Sequence, residues 1–170
     1  TEARIDAEVA SPDRFLWPFS LQPQDRDVRL DGLRRGALIV ERLETKRDGR
    51  TIDVPNGLVH HWVGLAFLPG TRIDRAVALL QDYDRHAVIY SPRIAQSTLR
   101  AREGDTFTFH LRFFMKKVIT VVIDSENTAR FVRPAADRVY SRIVSTRLAE
   151  VDDAGLPSER EKPIGHDGGY

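Results

Sequence analysis

Residues 106–115 alternate strongly between apolar and polar side chains, and this pattern is typical of one kind of backbone. Successive side chains of a β-strand point to opposite faces, so every second residue shares a face. One face of such a strand carries five large apolar residues, Phe107, Phe109, Leu111, Phe113 and Met115. The opposite face carries Thr108, His110, Arg112 and Phe114. The pattern predicts a long strand with at least one buried face.

Further strand patterns surround this segment and are separated by short turn-forming stretches. We predict strands over residues 94–102, 118–124, 128–133 and 139–151, with turns at 103–105, 125–127 and 134–137. Short connections favour strands that pair with their sequence neighbours, which makes an antiparallel meander. Another strand is predicted over residues 58–68, and the polar stretch 152–170 shows no element of its own.

A helix is predicted between these strands, starting at Thr71 as its N-terminal cap with Asp74 as capping-box partner. Its apolar stripe has helical spacing and consists of Ile73, Ala76, Val77 and Leu80. A second short helix or ordered loop follows before Pro92. The predicted fold class is therefore α+β, a curved antiparallel β-sheet packed on one or two short helices.

Composition excludes several classes of function. The 26 basic and 25 acidic residues leave a formal charge of +1, which gives no reason to expect nucleic acid as a partner. The chain has no cysteine, so disulfides, thiol catalysis and cysteine-based zinc sites are excluded. No stretch reaches the ~18 apolar residues that a transmembrane helix needs. These features are compatible with a cytoplasmic chain and with an exported one, and they do not specify an oligomeric state.

The sequence contains no recognisable catalytic, phosphate-binding or metal-binding motif. His60 and His61 are adjacent, and neighbours on a strand point to opposite faces, so they cannot bind one metal ion together. No G-x-S-x-G motif or glycine-rich phosphate loop is present. We therefore predict no catalytic residue, no metal and no cofactor from motifs.

Four segments together resemble bacterial members of the START-like, polyketide-cyclase-like (SRPBCC) superfamily. They are residues 54–64 (VPNGLVHHWVG), 79–84 (LLQDYD), 90–92 (YSP) and 146–151 (TRLAEV). The resemblance covers roughly residues 36–155, so we expect an N-terminal extension over 1–35, a START-like domain over 36–155 and a polar tail over 156–170. It implies a helix-grip fold, in which a curved antiparallel sheet grips a long C-terminal helix around an apolar ligand.

The chain departs from that pattern in one respect. The last strands and the long C-terminal helix of the family have no counterpart before Tyr170. Either the chain is a fragment, or its N-terminal segment supplies part of the cover. The apolar cluster at residues 15–19 is interpreted as a strap on the core or as a segment that binds a partner.

Two groups of residues are candidates for ligand binding. The first follows the predicted helix and comprises Tyr83, His86 and Tyr90, which either line a pocket mouth or form a hydrogen-bonded helix–loop junction. The second comprises His110 and Arg112, which anchor a ligand head group if their face of the strand points inward and are solvated if it points outward.

The resemblance implies binding of a hydrophobic small molecule or lipid in a cavity of the domain. The alternative is a polyketide cyclase- or dehydratase-like enzyme, in which Tyr83, His86, His110 or Arg112 performs acid–base chemistry. The absence of a catalytic motif favours binding without chemistry.

Overall fold

The computed structural model describes residues 9–11, 13–47, 49–52, 60–116 and 120–164. The chain divides into two compact units, Thr1–Gly70 and Thr71–Tyr170. Most of the first segment on which the family resemblance rests, residues 54–64, lies outside the described residues. The predicted domain boundaries at residues 35 and 155 stay predictions.

The first unit contains a helix and two small sheets. A 3-10 turn, Trp17–Ser20, precedes helix α1, Pro23–Arg34, which begins with a proline at its first position. Strands β1, Ile39–Arg42, and β4, Trp62–Leu65, form one antiparallel pair. Strands β2, Lys46–Arg47, and β3, Arg50–Thr51, form the other.

One prediction for this first unit is wrong in extent. Within the described part of the strand predicted over residues 58–68, only β4 is strand, because Ala66, Phe67 and Leu68 follow it as irregular chain. In the apolar cluster at residues 15–19, Pro18 is buried, whereas Leu16 and Phe19 are exposed. Arg29 of α1 holds this part together, because it donates to Glu41 at 2.9 Å and lies 5.6 Å from the Trp17 ring centroid.

The second unit is dominated by one strongly curled antiparallel sheet of five strands in sequence order. The strands are β5, Ile94–Glu103; β6, Thr106–Lys116; β7, Thr120–Ala135; β8, Arg138–Asp152; and β9, Arg160–Pro163. Short helices precede the sheet: α2, Ile73–Gln81; a 3-10 turn, Tyr83–Arg85; and α3, His86–Ile89. The predicted α+β class and curved antiparallel meander are confirmed.

The predicted turn at residues 125–127 is wrong, because β7 runs without interruption from Thr120 to Ala135. Polar residues in the middle of the strand indicated a turn, but their side chains are satisfied within the sheet. Asp124 accepts hydrogen bonds from Arg112, and Asn127 bonds to Ser125 and Ser145. A shift of register next to Asn127 supplies the local irregularity instead.

Two smaller differences concern the ends of elements. Helix α2 begins at Ile73, with Arg72 rather than Thr71 at the cap position, and no side chain caps it. The segment predicted to lack structure after Asp152 contains β9, which pairs with the end of β8. All four residues of β9 are exposed, so its sequence shows no alternation of apolar and polar residues.

Pairing between strands assigns each side chain of the sheet to one of two faces. Phe107 pairs with Ala129 and Phe109 with Asn127, so these residues share a face, which we call the covered face. Tyr83 packs on it, and Val77 of α2 lies against the same cluster. The outer face, by the same alternation, carries His110, Arg112 and Asp124. The two faces predicted for residues 106–115 are thus observed.

Candidate functional site

Tyr83 lies at the centre of an aromatic cluster on the covered face. Its ring stacks on Phe109 with centroids 3.9 Å apart and planes 19° apart, and Phe107 lies 5.6 Å away. Phe107 in turn meets Phe131 edge-on at 5.6 Å. Tyr83 is 2% exposed, and its backbone carbonyl accepts a hydrogen bond from Ser97 on the edge strand β5. The ring is therefore held in place from both the sheet and its own backbone.

The hydroxyl group of Tyr83 has no hydrogen-bond partner. Among the described residues it is the one buried side-chain nitrogen or oxygen left in this condition. Buried polar groups are bonded in the great majority of cases, and an unsatisfied one costs about 1–3 kcal/mol. Burial also raises the pKa of Tyr83 to about 12, so the hydroxyl keeps its proton at neutral pH and can donate it.

His86 and Tyr90 extend this cluster along α3. The His86 ring lies 4.9 Å from Tyr83 and meets Tyr90 edge-on at 5.1 Å. Its Nε2 atom is 3.3 Å from the carbonyl oxygen of Leu79, so that nitrogen carries a proton and donates it. His86 is buried, whereas Tyr90 lies at the boundary with solvent.

A neutral polar network lies beside the aromatic cluster on the covered face. The side-chain amide of Asn127 donates to the Ser125 hydroxyl at 2.8 Å, and the Ser145 hydroxyl donates to Asn127 Oδ1 at 2.8 Å. Ser125 Oγ donates to the Leu111 carbonyl at 3.3 Å. Ser125 and Asn127 are both buried. Sequence analysis missed this group, because Ser125 and Asn127 fall in the predicted turn at residues 125–127. Recognising them as buried side chains requires knowledge of the strand register.

Part of the covered face remains open to solvent next to the cluster. Ile143 pairs with Ala129 and so points to the same side of the sheet, yet it is 55% exposed. Leu80 belongs to the predicted apolar stripe of α2 but is 48% exposed. The short helices therefore leave part of the covered face exposed, at Ile143.

The outer face carries a separate group of charged residues. Arg112 donates to both oxygens of Asp124, with Nε–Oδ1 and Nη2–Oδ2 distances of 2.7 Å. It also donates to Glu159 at 2.9 and 3.2 Å. His110 Nε2 lies 3.4 Å from Asp124 Oδ1. Although Arg112 faces away from the helices, its side chain is only 12% exposed.

Electrostatics in this charged group favour the ionised forms. Burial by itself would raise the pKa of Asp124, but hydrogen bonds and charge from Arg112, with a smaller contribution from His110, hold it below its ordinary value. Hydrogen bonds to Asp124 and then Glu159 raise the pKa of Arg112 above its ordinary value. The donors of Arg112 are thus already occupied by carboxylates of the chain itself.

The structure separates the five predicted ligand-binding residues into two sets. Tyr83, His86 and Tyr90 are in mutual contact over the covered face, whereas His110 and Arg112 lie on the outer face. The outward interpretation of His110 and Arg112 matches their position, but they are paired with Asp124 rather than solvated. Because the two sets lie on opposite faces of the sheet, they cannot act together on one substrate.

Comparison with known proteins identifies no relative, because no family model, curated protein or solved structure matches this chain. Within the described residues, no three His, Asp or Glu side chains are grouped so that they could hold a metal ion. No described helix is both long and apolar enough to cross a membrane.

Proposed function

We propose that the unit from Thr71 to Tyr170 binds an apolar small molecule or lipid on the covered face of its sheet. The observation that carries this proposal is the Tyr83 hydroxyl, a buried hydrogen-bond donor without a partner in an aromatic cluster. Ligand sites are mostly apolar and contain a few placed polar groups that orient the ligand. The cluster around Tyr83 has this composition.

Three further observations support the proposal. The sheet curves, and its covered face is only partly shielded by α2 and α3. Ile143 is exposed on the covered face and pairs with Ala129 of the cluster, so it offers an apolar ligand a surface next to the cluster. The sequence resemblance to START-like proteins implies the same class of ligand.

The enzymatic alternative has less support from the geometry. Its candidate residues are divided between the two faces, because His110 and Arg112 lie across the sheet from Tyr83 and His86, and no catalytic motif accompanies either set. We therefore propose binding without chemistry, with Tyr83, His86 and Tyr90 as the residues nearest to the ligand.

Native mass spectrometry of the full chain purified from cells tests the proposal directly. We expect the native mass to exceed the denatured mass by a few hundred daltons, since a non-covalent ligand dissociates on denaturation. An unchanged mass, together with no binding of added apolar compounds, would contradict the proposal.

Two neighbouring residues provide a matched pair for locating the site. Ile143 and Val144 are both exposed, but they point to opposite faces because Ile143 pairs with Ala129 and Val144 with Thr128. We expect Ile143→Glu to weaken ligand binding by placing a charge on the covered face, and Val144→Glu to leave it unchanged. Equal effects of the two substitutions would place the ligand elsewhere.

A further inference from the structure

We propose that the ligand is uncharged and carries an oxygen acceptor that receives a hydrogen bond from the Tyr83 hydroxyl, so that the site rejects carboxylates. This inference rests on the proposed function and names the chemical class of the ligand. Ketones, esters, ethers and alcohols belong to that class, whereas free fatty acids do not.

Four polar or charged side chains are buried in the described part of the second unit. They are His86, Asp124, Ser125 and Asn127. Asp124 is on the outer face and is paired with Arg112. The other three are on the covered side and can be neutral, so the described interior of that side holds no permanent charge.

The buried polar groups of the covered side, apart from the Tyr83 hydroxyl, already have hydrogen-bond partners. Ser125 and Asn127 bond to each other, to Ser145 and to the backbone, and His86 Nε2 bonds to Leu79. Tyr83 is left with a free donor. A ligand oxygen that accepts this proton would satisfy the group, whereas a purely apolar ligand would leave it unsatisfied.

A carboxylate would be disfavoured at this position because burying a charge without a counter-charge is costly. Two acidic side chains near the covered face already have partners, and one basic side chain lies at its margin. Asp84 accepts from the Leu99 amide at 2.8 Å, and Asp74 pairs with Arg133 at 2.6 Å. Arg102 lies at the margin, with its guanidinium carbon 4.8 Å from the Phe107 ring centroid.

Arg102 therefore defines the rival arrangement. It is an exposed cation in contact with the cluster, and an acid could bind with its carboxylate at Arg102 and its apolar part on the covered face. In that case the acid would bind at least as well as a neutral ligand, and its affinity would depend on Arg102.

Three compounds of similar size separate these possibilities: butyrophenone, which is a ketone; butylbenzene, which is the matching hydrocarbon; and 4-phenylbutyrate, which is an acid. Their affinities for the full chain would be measured by calorimetry at pH 8, where the acid is ionised. We expect the ketone to bind about 10-fold more tightly than the hydrocarbon and at least about 100-fold more tightly than the acid.

The substitution Tyr83→Phe removes the hydroxyl while keeping the ring. We expect it to abolish the difference between ketone and hydrocarbon and to leave the affinity for the hydrocarbon unchanged within about twofold. A melting curve of the variant would verify that it folds.

Each remaining outcome contradicts a different statement. An acid that binds as tightly as the ketone, and loses affinity in Arg102→Gln, would overturn the neutral-ligand inference and leave the proposed function standing. Equal binding of ketone and hydrocarbon to the unmodified chain would contradict the hydrogen bond from Tyr83 to the ligand and would leave the proposed function standing. Absence of binding by all three compounds would count against the proposed function itself.

Discussion

Arg112 on β6 and Asp124 on β7 lie side by side on the outer face and share two hydrogen bonds of 2.7 Å each. Asp124 is 3% exposed, so its charge is compensated almost entirely by the chain itself. Glu159, from the connection between β8 and β9, approaches the same guanidinium at 2.9 Å. Through Glu159, the C-terminal hairpin thus contacts the ion pair at the centre of the sheet.

Replacing Asp124 by Asn should destabilise the chain strongly. Breaking one half of a buried ion pair costs about 3–5 kcal/mol, and we expect about 3 kcal/mol because Arg112 keeps Glu159 as a partner. Urea denaturation would measure the free energy of unfolding. Glu159→Gln is the matched control, since it removes the solvent-accessible partner and should cost clearly less. Equal losses would show that the Arg112–Asp124 pair is not the main contact.

The same pair should make stability depend on acid pH. The pKa of Asp124 is below its ordinary value of 3.8 in the folded chain, so folding favours the ionised carboxylate. This contribution is fully present above about pH 5 and is lost as the pH falls through the ordinary pKa towards the folded one. We expect the stability difference between the unmodified chain and Asp124→Asn to shrink between about pH 5 and pH 2. A constant difference across that range would contradict the ion pair.

Tyr83→Phe should stabilise the ligand-free chain. The substitution removes a buried hydroxyl that has no partner and keeps the stacking on Phe109, so we expect a gain of about 1 kcal/mol in the free energy of unfolding. Phe109→Ala is the contrasting variant, with an expected loss of about 3–5 kcal/mol from the cavity it creates. A loss of stability in Tyr83→Phe would mean that the hydroxyl is bonded.

At alkaline pH the Tyr83 hydroxyl should reduce stability. Because its pKa is raised to about 12 in the folded chain, the unfolded chain releases this proton first, near the ordinary value of about 10. The contribution of the neutral hydroxyl is therefore fully present below about pH 10 and is lost between about pH 10 and pH 12. Urea denaturation across this range should show a steeper fall for the unmodified chain than for Tyr83→Phe. Parallel curves would indicate an ordinary, accessible tyrosine.

The network around Asn127 should be essential for the continuity of β7. Asn127→Ala leaves the hydroxyl groups of Ser125 and Ser145 without their shared partner, which should cost about 1–3 kcal/mol. The exposed neighbour Thr146 provides a control, since Thr146→Ala removes only a solvent-accessible hydrogen bond to the Glu126 carbonyl and should cost clearly less. Similar effects at both positions would mean that the buried network contributes little.

The two-residue period of residues 106–115 was sufficient to predict β6 and the composition of its two faces. Apolar and polar side chains alternate there because the covered face is buried. A buried face consists mainly of apolar residues, so it is visible in the sequence itself. The same reasoning failed in β7, where the polar residues that follow Asp124, from Ser125 to Asn127, indicated a turn. Their partners are on other strands, and no local pattern reports a hydrogen bond to a residue 12 or 18 positions away.

By itself, the sequence determined the α+β class, the curved antiparallel meander, and the set Tyr83, His86 and Tyr90 as neighbours after a short helix. Local spacing controls all of these. Only the tertiary structure decided that His110 and Arg112 lie across the sheet from that set and bond to Asp124, and that Tyr83 is buried with an unused donor. Both results depend on strand register and on packing between distant segments, where a shift of one residue exchanges the faces.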